Sequence, residues 1–180
     1  MQIVYRNLWT FSGSEMTRRM KAKIEPRIEK LPISKLRKTD TVSISGEFEI
    51  RIGDRKLWII GNASAPEQMK IDVWLYWLTT AFTRLEEGEP TYSLCTGEQG
   101  GAVYLFEREG EMLYLSVFRA HDRDPFEPGE PMEGWQRVPM TYESFRRGFL
   151  DFRRRLYNEL KAQAPEGYRL YFKEDLPSED

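Results

Sequence analysis

Between Thr41 and Ile52 the chain alternates with a period of two. Val42, Ile44, Phe48, Ile50 and Ile52 interleave with Thr41, Ser43, Ser45, Glu47, Glu49 and Arg51. Successive side chains of a strand point to opposite faces, so this pattern makes a half-buried β-strand with one wet face. Strands of parallel sheets are covered on both sides and read as unbroken apolar runs, so the alternation favours antiparallel pairing. Gly53-Asp54 supplies a turn, and Lys56–Ile60 returns as the second strand of a hairpin.

Further strands are expected near Ile3–Tyr5, Thr91–Cys95, Ala102–Glu107, Met112–Phe118, Trp135–Met140 and Tyr168–Phe172. Arg108-Glu109-Gly110 gives a hairpin signal between the third and fourth of these segments. Two stretches switch to helical spacing. Ile71, Trp74, Leu75, Leu78, Phe82 and Leu85 form one stripe, which Val73 and Trp77 widen. Tyr142, Phe145, Phe149, Phe152, Leu156 and Leu160 form the other, capped by Thr141 and ended by Pro165 and Gly167. A third helix is expected from Ser14, kinked or stopped at Pro26. Strand runs interrupted by long helices define an α+β class. The expected architecture is a mostly antiparallel, curved sheet of about six or seven strands, with two long helices packed on one face. Residues 1–174 read as a single domain and 175–180 as an acidic C-terminal tail.

The balance of 40% hydrophobic and 31% charged residues over 180 positions is that of a globular chain with a sizeable core, far from the disordered class. No apolar run approaches the roughly 20 residues of a membrane-spanning helix. The N-terminus lacks the basic-then-apolar pattern of a signal peptide. A single cysteine, Cys95, rules out an intramolecular disulfide. Together these lead to the expectation of a cytoplasmic protein. Cys95 reads as a small buried hydrophobe on a strand, with a reactive thiol as the other possibility.

Charge is unevenly spread. Residues 18–38 carry nine Lys/Arg against Glu25 and Glu29, a local charge of +7. Residues 121–133 carry Asp122, Asp124, Glu127, Glu130 and Glu133 against Arg123, a local charge of −4. The basic stretch has the electrostatics of a nucleic-acid footprint but lacks aromatic stacking residues of its own. Arg147 and Arg154 fall opposite the apolar stripe of the last helix, where a solvated face is the simpler reading.

The search for chemistry yields little. His121 is the only histidine, and no serine or cysteine lies near it in a nucleophile motif. His121-Asp122-Arg123-Asp124 matches no zinc or calcium spacing. Thr96-Gly97-Glu98-Gln99-Gly100-Gly101 precedes a strand, whereas a phosphate-cradling loop opens a helix. The expectation is a non-enzymatic protein with no cofactor and no metal site, a monomer or weak dimer.

Trp135-Gln-Arg-Val-Pro-Met140, followed by Tyr142-Glu-Ser-Phe145-Arg-Arg-Gly-Phe149-Leu-Asp-Phe152, resembles the strand and Phe/Leu-striped helix that end small immunity proteins of bacterial polymorphic-toxin and contact-dependent inhibition systems. The strands at 102–107 and 112–118 fit that picture. The resemblance covers about a third of the chain, is one of architecture and texture, and excludes the basic residues 14–38. It implies a cytoplasmic inhibitor that binds a cognate toxin domain. A regulatory or adaptor domain for another protein or small ligand is the alternative, and a nucleic-acid-binding protein using residues 18–38 is the third. The partner-binding surface is expected on the loop 120–133, through Asp122, Asp124, Phe126, Glu127, Glu130 and Glu133. Its three prolines reduce the ordering cost of binding, Phe126 would serve as an anchor, and the carboxylates would steer a basic partner.

Overall fold

The computed structural model describes residues 1–13, 18, 30–36, 41–58, 69–95, 102–120 and 127–172. The alternating segment forms β3 (Thr41–Ile52), paired antiparallel along nearly its whole length with β1 (Gln2–Ser12). β2 (Leu31–Pro32) flanks β1, while β4 (Arg55–Trp58) and β5 (Met69–Lys70) both pair with β3 on its other side. Ile44, Phe48, Ile50 and Ile52 are buried on the inner face, as the period of two requires. Pairing is interrupted twice, the second time between Thr10 and Ser12. At the first, the register slips between Arg6 and Trp9, and Asn7 adopts a left-handed φ of 52°. Gly46 lies opposite this β-bulge, where a Cβ would stand 2.7 Å from the Arg6 carbonyl oxygen. Only glycine allows the bulged backbone to approach so closely.

The second sheet holds β6 (Thr91–Cys95), β7 (Ala102–Glu109), β8 (Met112–Ala120), β9 (Pro128–Pro131) and β10 (Val138–Thr141). Its order is β10-β8-β7-β6, with β9 also on β8 and every pairing antiparallel. The fold is therefore antiparallel α+β, its strands divided between two five-stranded sheets. Helices α1 (Ile71–Glu86) and α2 (Tyr142–Gln163) pack against the inner faces of both. Their buried stripes follow the sequence: Ile71, Trp74, Leu75, Leu78 and Leu85 on α1, and Tyr142, Phe145, Phe149, Phe152, Leu156 and Leu160 on α2. The Thr141 side chain accepts the Ser144 N–H at 3.1 Å, the expected cap. Gly148 of α2 abuts the start of β1, its missing Cβ only 2.5 Å from the Met1 carbonyl oxygen.

One hydrophobic cluster draws on both sheets and both helices. Trp74 sits at its centre, 2% exposed. Its ring stacks on Phe48 of β3 at 5.2 Å and meets Tyr104 of β7 edge-on at 5.1 Å, so one side chain touches both sheets. α2 makes the same bridge with two residues. Phe152 packs edge-on to Phe48 at 5.7 Å, and Phe145 meets Phe106 of β7 at 5.6 Å.

Three expectations change. Tyr168–Phe172 is a 3-10 turn over Tyr168–Leu170 and not a strand. Tyr168 and Phe172, four residues apart, both pack edge-on against Tyr157, which a turn permits. In a strand Leu170 would share their face, whereas it is 38% exposed. The loop 120–133 contains strand β9, because Pro131 and Pro128 lie opposite Phe118 and Ala120 on the edge of β8. The helix expected over 14–38 lies largely outside the described residues. Its described residues are Arg18, which is helical, and 30–36, which form β2 and a 3-10 turn at Ile33–Lys35 anchored by buried Ile33 and Leu36. Among the described residues no helix is long and apolar enough to cross a membrane.

Two outcomes follow from this packing. Trp74→Ala is expected to cost about 3–5 kcal/mol in urea unfolding, the cost of deleting a fully buried aromatic. Tyr76→Ala, on the 69% exposed side of the same helix, is expected to stay within about 0.5 kcal/mol. Similar losses at the two positions would contradict the central place of Trp74.

The second concerns pH. Asp72, at the start of α1, accepts the Ser43 hydroxyl of β3 at 3.0 Å and backbone N–H groups of Val73 and Ile44. Burial nevertheless holds its carboxyl above the ordinary value of 3.8. A carboxyl raised in the folded state is bound more tightly to its proton there than in the unfolded chain. Its contribution to stability is full below the ordinary value and declines as pH rises through the folded-state value. The stability of Asp72→Asn relative to wild type should therefore improve between about pH 4 and neutrality. A difference that stays constant over that window would remove Asp72 from the pH response.

Candidate partner-binding face

The run Ala102-Val-Tyr-Leu-Phe106 on β7 is apolar without alternation, so both faces of the strand carry apolar side chains. Ala102, Tyr104 and Phe106 belong to the core cluster. Val103 and Leu105 point the other way, to the face of the second sheet on which neither α1 nor α2 packs. There the antiparallel register sets Val103 opposite Phe118 of β8 and Cys95 of β6, and Leu105 opposite Ser116 and Ser93. Val103 is 1% exposed yet outside the main core cluster, whereas Leu105, Phe118 and Cys95 are half-buried. The result is a short apolar strip across the middle of a sheet face.

The lower end of the same face is charged. Glu107 and Glu109 alternate with the inward residues of β7 and stand opposite Tyr114 and Met112. Arg137, just before β10, donates from one guanidinium nitrogen to Glu107 at 3.0 Å and from another to Glu109 at 2.6 Å. The same guanidinium lies over the Tyr114 ring at 4.2 Å. The hydrogen bond to Glu109 keeps its pKa above the ordinary arginine value. Arg137 has a left-handed φ of 45°, a conformation that costs a non-glycine residue about 1 kcal/mol or more. Its backbone N–H donates to the buried Ser116 hydroxyl at 2.9 Å, which ties this backbone to β8.

The upper edge belongs to β9. Glu130 lies within this strand, Glu127 directly precedes it and Glu133 follows it, and all three are exposed. Pro131 stands opposite Phe118, so the carboxylate edge borders the apolar strip. Of the residues expected to bind a partner, the structure thus brings Glu127, Glu130 and Glu133 to one sheet edge. Asp122, Asp124 and Phe126 lie outside the described residues, as does His121. Sequence reasoning overlooked Leu105, Phe118 and Arg137. The unbroken apolar run at 102–106 was the available signal for Leu105; nothing local marks Arg137, whose partners lie 28 and 30 residues away.

Elsewhere, strongly perturbed groups serve packing. Burial, reinforced by a 3.0 Å hydrogen bond to Glu86, pushes the Tyr142 hydroxyl up to about 12. Arg108 stacks on that ring at 3.7 Å and donates to the Leu85 carbonyl at 2.7 Å, satisfying the C-terminal end of α1. Burial raises Tyr5, Tyr104 and Tyr171 as well, in the first case together with the Glu159 carboxylate. Raised tyrosines stay protonated at neutral pH, the opposite of what a general base requires. Among the described residues no cluster of three or more His, Cys, Asp or Glu side chains is arranged to hold a metal ion. No family model matches the sequence, and no curated protein or solved structure matches it.

Proposed function

We propose that this chain is an immunity-type inhibitor, which binds and neutralises a cognate toxin domain bearing a basic surface, through the outer face of the second sheet. The observation that carries the reading is the apolar strip of Leu105 and Phe118 set against an edge whose exposed side chains Glu127, Glu130 and Glu133 are carboxylates. The two parts have separate physical roles. Desolvation of the strip supplies affinity, because apolar groups at the centre of an interface dominate its energy. The carboxylates sit at the rim, where they raise the association rate and select for a cationic partner. Support also comes from the resemblance of residues 135–152 to the strand and helix that end immunity proteins.

The test uses as the partner a toxin domain encoded directly beside this chain's gene, which is where this reading places it. Phe118→Asp with Leu105→Asp is expected to weaken binding at least tenfold, about 1.4 kcal/mol, and to abolish growth protection in co-expressing cells. Glu127→Lys, Glu130→Lys and Glu133→Lys together should slow association and flatten its salt dependence, with circular dichroism unchanged. Full binding by both variant sets would sink the proposal, as would the finding that the neighbouring product does not bind at all.

A further inference from the structure

The outer face of the first sheet carries a different feature, independent of the partner-binding reading. Between β1, β3 and β4 lies an open cleft of about 270 Å³, lined by Val4, Arg6, Glu47, Glu49, Arg51 and Lys56. The register explains how these charges meet. Arg6 stands opposite Glu47 and Val4 opposite Glu49 across the β1–β3 pairing, and Arg51 stands directly opposite Lys56 across β3–β4.

The two carboxylates are already engaged. Glu47 accepts the Asn7 amide at 2.6 Å. Glu49 is only 5% exposed and accepts the Arg51 Nε–H, which fixes the guanidinium in place. That bond uses one of the five N–H donors of Arg51. Arg6 and Lys56 are exposed and make no hydrogen bond or ion pair among the described residues. Facing residues on adjacent strands have Cβ atoms about 4.5–5.5 Å apart, and like charges at that spacing destabilise the pair. The Arg51–Lys56 pairing is thus a local electrostatic conflict. Such conflicts mark places where something besides folding set the residues.

We propose that this cleft is an oxyanion site, in which a phosphate group sits between Arg51 and Lys56 with Arg6 closing the β1 side. A phosphate bridges two cations that otherwise repel, and the fork of Arg51, pre-oriented by buried Glu49, suits its planar donors to phosphate oxygens. A carboxylate brings one negative charge and two oxygens to three cations, whereas a phosphate brings up to two charges and more oxygens.

The experiment measures thermal unfolding and amide chemical shifts of the full chain against inorganic phosphate, with sodium chloride and sodium acetate at matched ionic strength. Phosphate should raise the melting temperature saturably and shift the Arg51 and Lys56 amides, with chloride and acetate inert at the same concentrations. Lys56→Gln should raise the melting temperature in phosphate-free buffer and weaken phosphate binding at least tenfold. Arg6→Gln should weaken it less and leave the phosphate-free stability unchanged. The proposal fails if phosphate acts no differently from chloride, or if Lys56→Gln binds phosphate like wild type. An acetate response equal to that of phosphate would replace the phosphate assignment with a simple carboxylate site.

Discussion

Trp74 is the point at which the two sheets become one structure. Its indole lies flat on Phe48 and edge-on to Tyr104, so the first sheet, α1 and the second sheet meet in a single contact. Offset stacking and edge-to-face geometry are the two arrangements that the aromatic quadrupole favours, and here one ring uses both. The neighbouring aromatics extend the same logic. Trp77 meets Trp74 edge-on, and Phe152 reaches Phe48 from α2. The sheets need not pair with each other by hydrogen bonds, because aromatic side chains from the intervening helices fill the space between them.

This construction leaves each sheet with an outer face that α1 and α2 do not cover, and the two faces have opposite character. The first sheet presents a ladder of charges in which a buried glutamate orients an arginine. The second presents a short apolar strip between a carboxylate edge and the Arg137 clamp. Both surfaces are products of register. A shift of one residue in either β1–β3 or β7–β8 would exchange inner and outer side chains along the strand. The bulge opposite Gly46 and the two-residue β7–β8 loop are therefore as important for the surfaces as for the core.

Much of this fold was legible in the sequence, for a physical reason. The stripes of α1 and α2 and the alternation of β3 are local patterns, set by the pitch of the element that carries them. Register is not local. The two-residue Gly53-Asp54 turn does set Lys56 opposite Arg51, but nothing near Arg137 points to Glu107 or Glu109. Where local pattern failed, a long-range contact won. Tyr168, Leu170 and Phe172 alternate like a strand, but Tyr157 draws the first and last into a turn. Pro128 and Pro131 read as loop residues because proline lacks an N–H donor, a property that suits them equally to the edge strand they form. The candidate site was half visible: charge alone located Glu127, Glu130 and Glu133, whereas the apolar strip beside them needed the pairing of β7 with β8.

The composition of β9 has a further consequence. An open sheet edge is a template on which another chain can anneal through its backbone, the first step toward domain swapping and fibrous aggregates. In Pro128-Gly-Glu-Pro131 half of the residues offer no N–H, and the strand ends after four. Backbone annealing along β9 is disfavoured, which leaves its side chains as the means of contact there. The half-buried Leu105 and Phe118 therefore lie beside an edge that resists polymerising through its backbone.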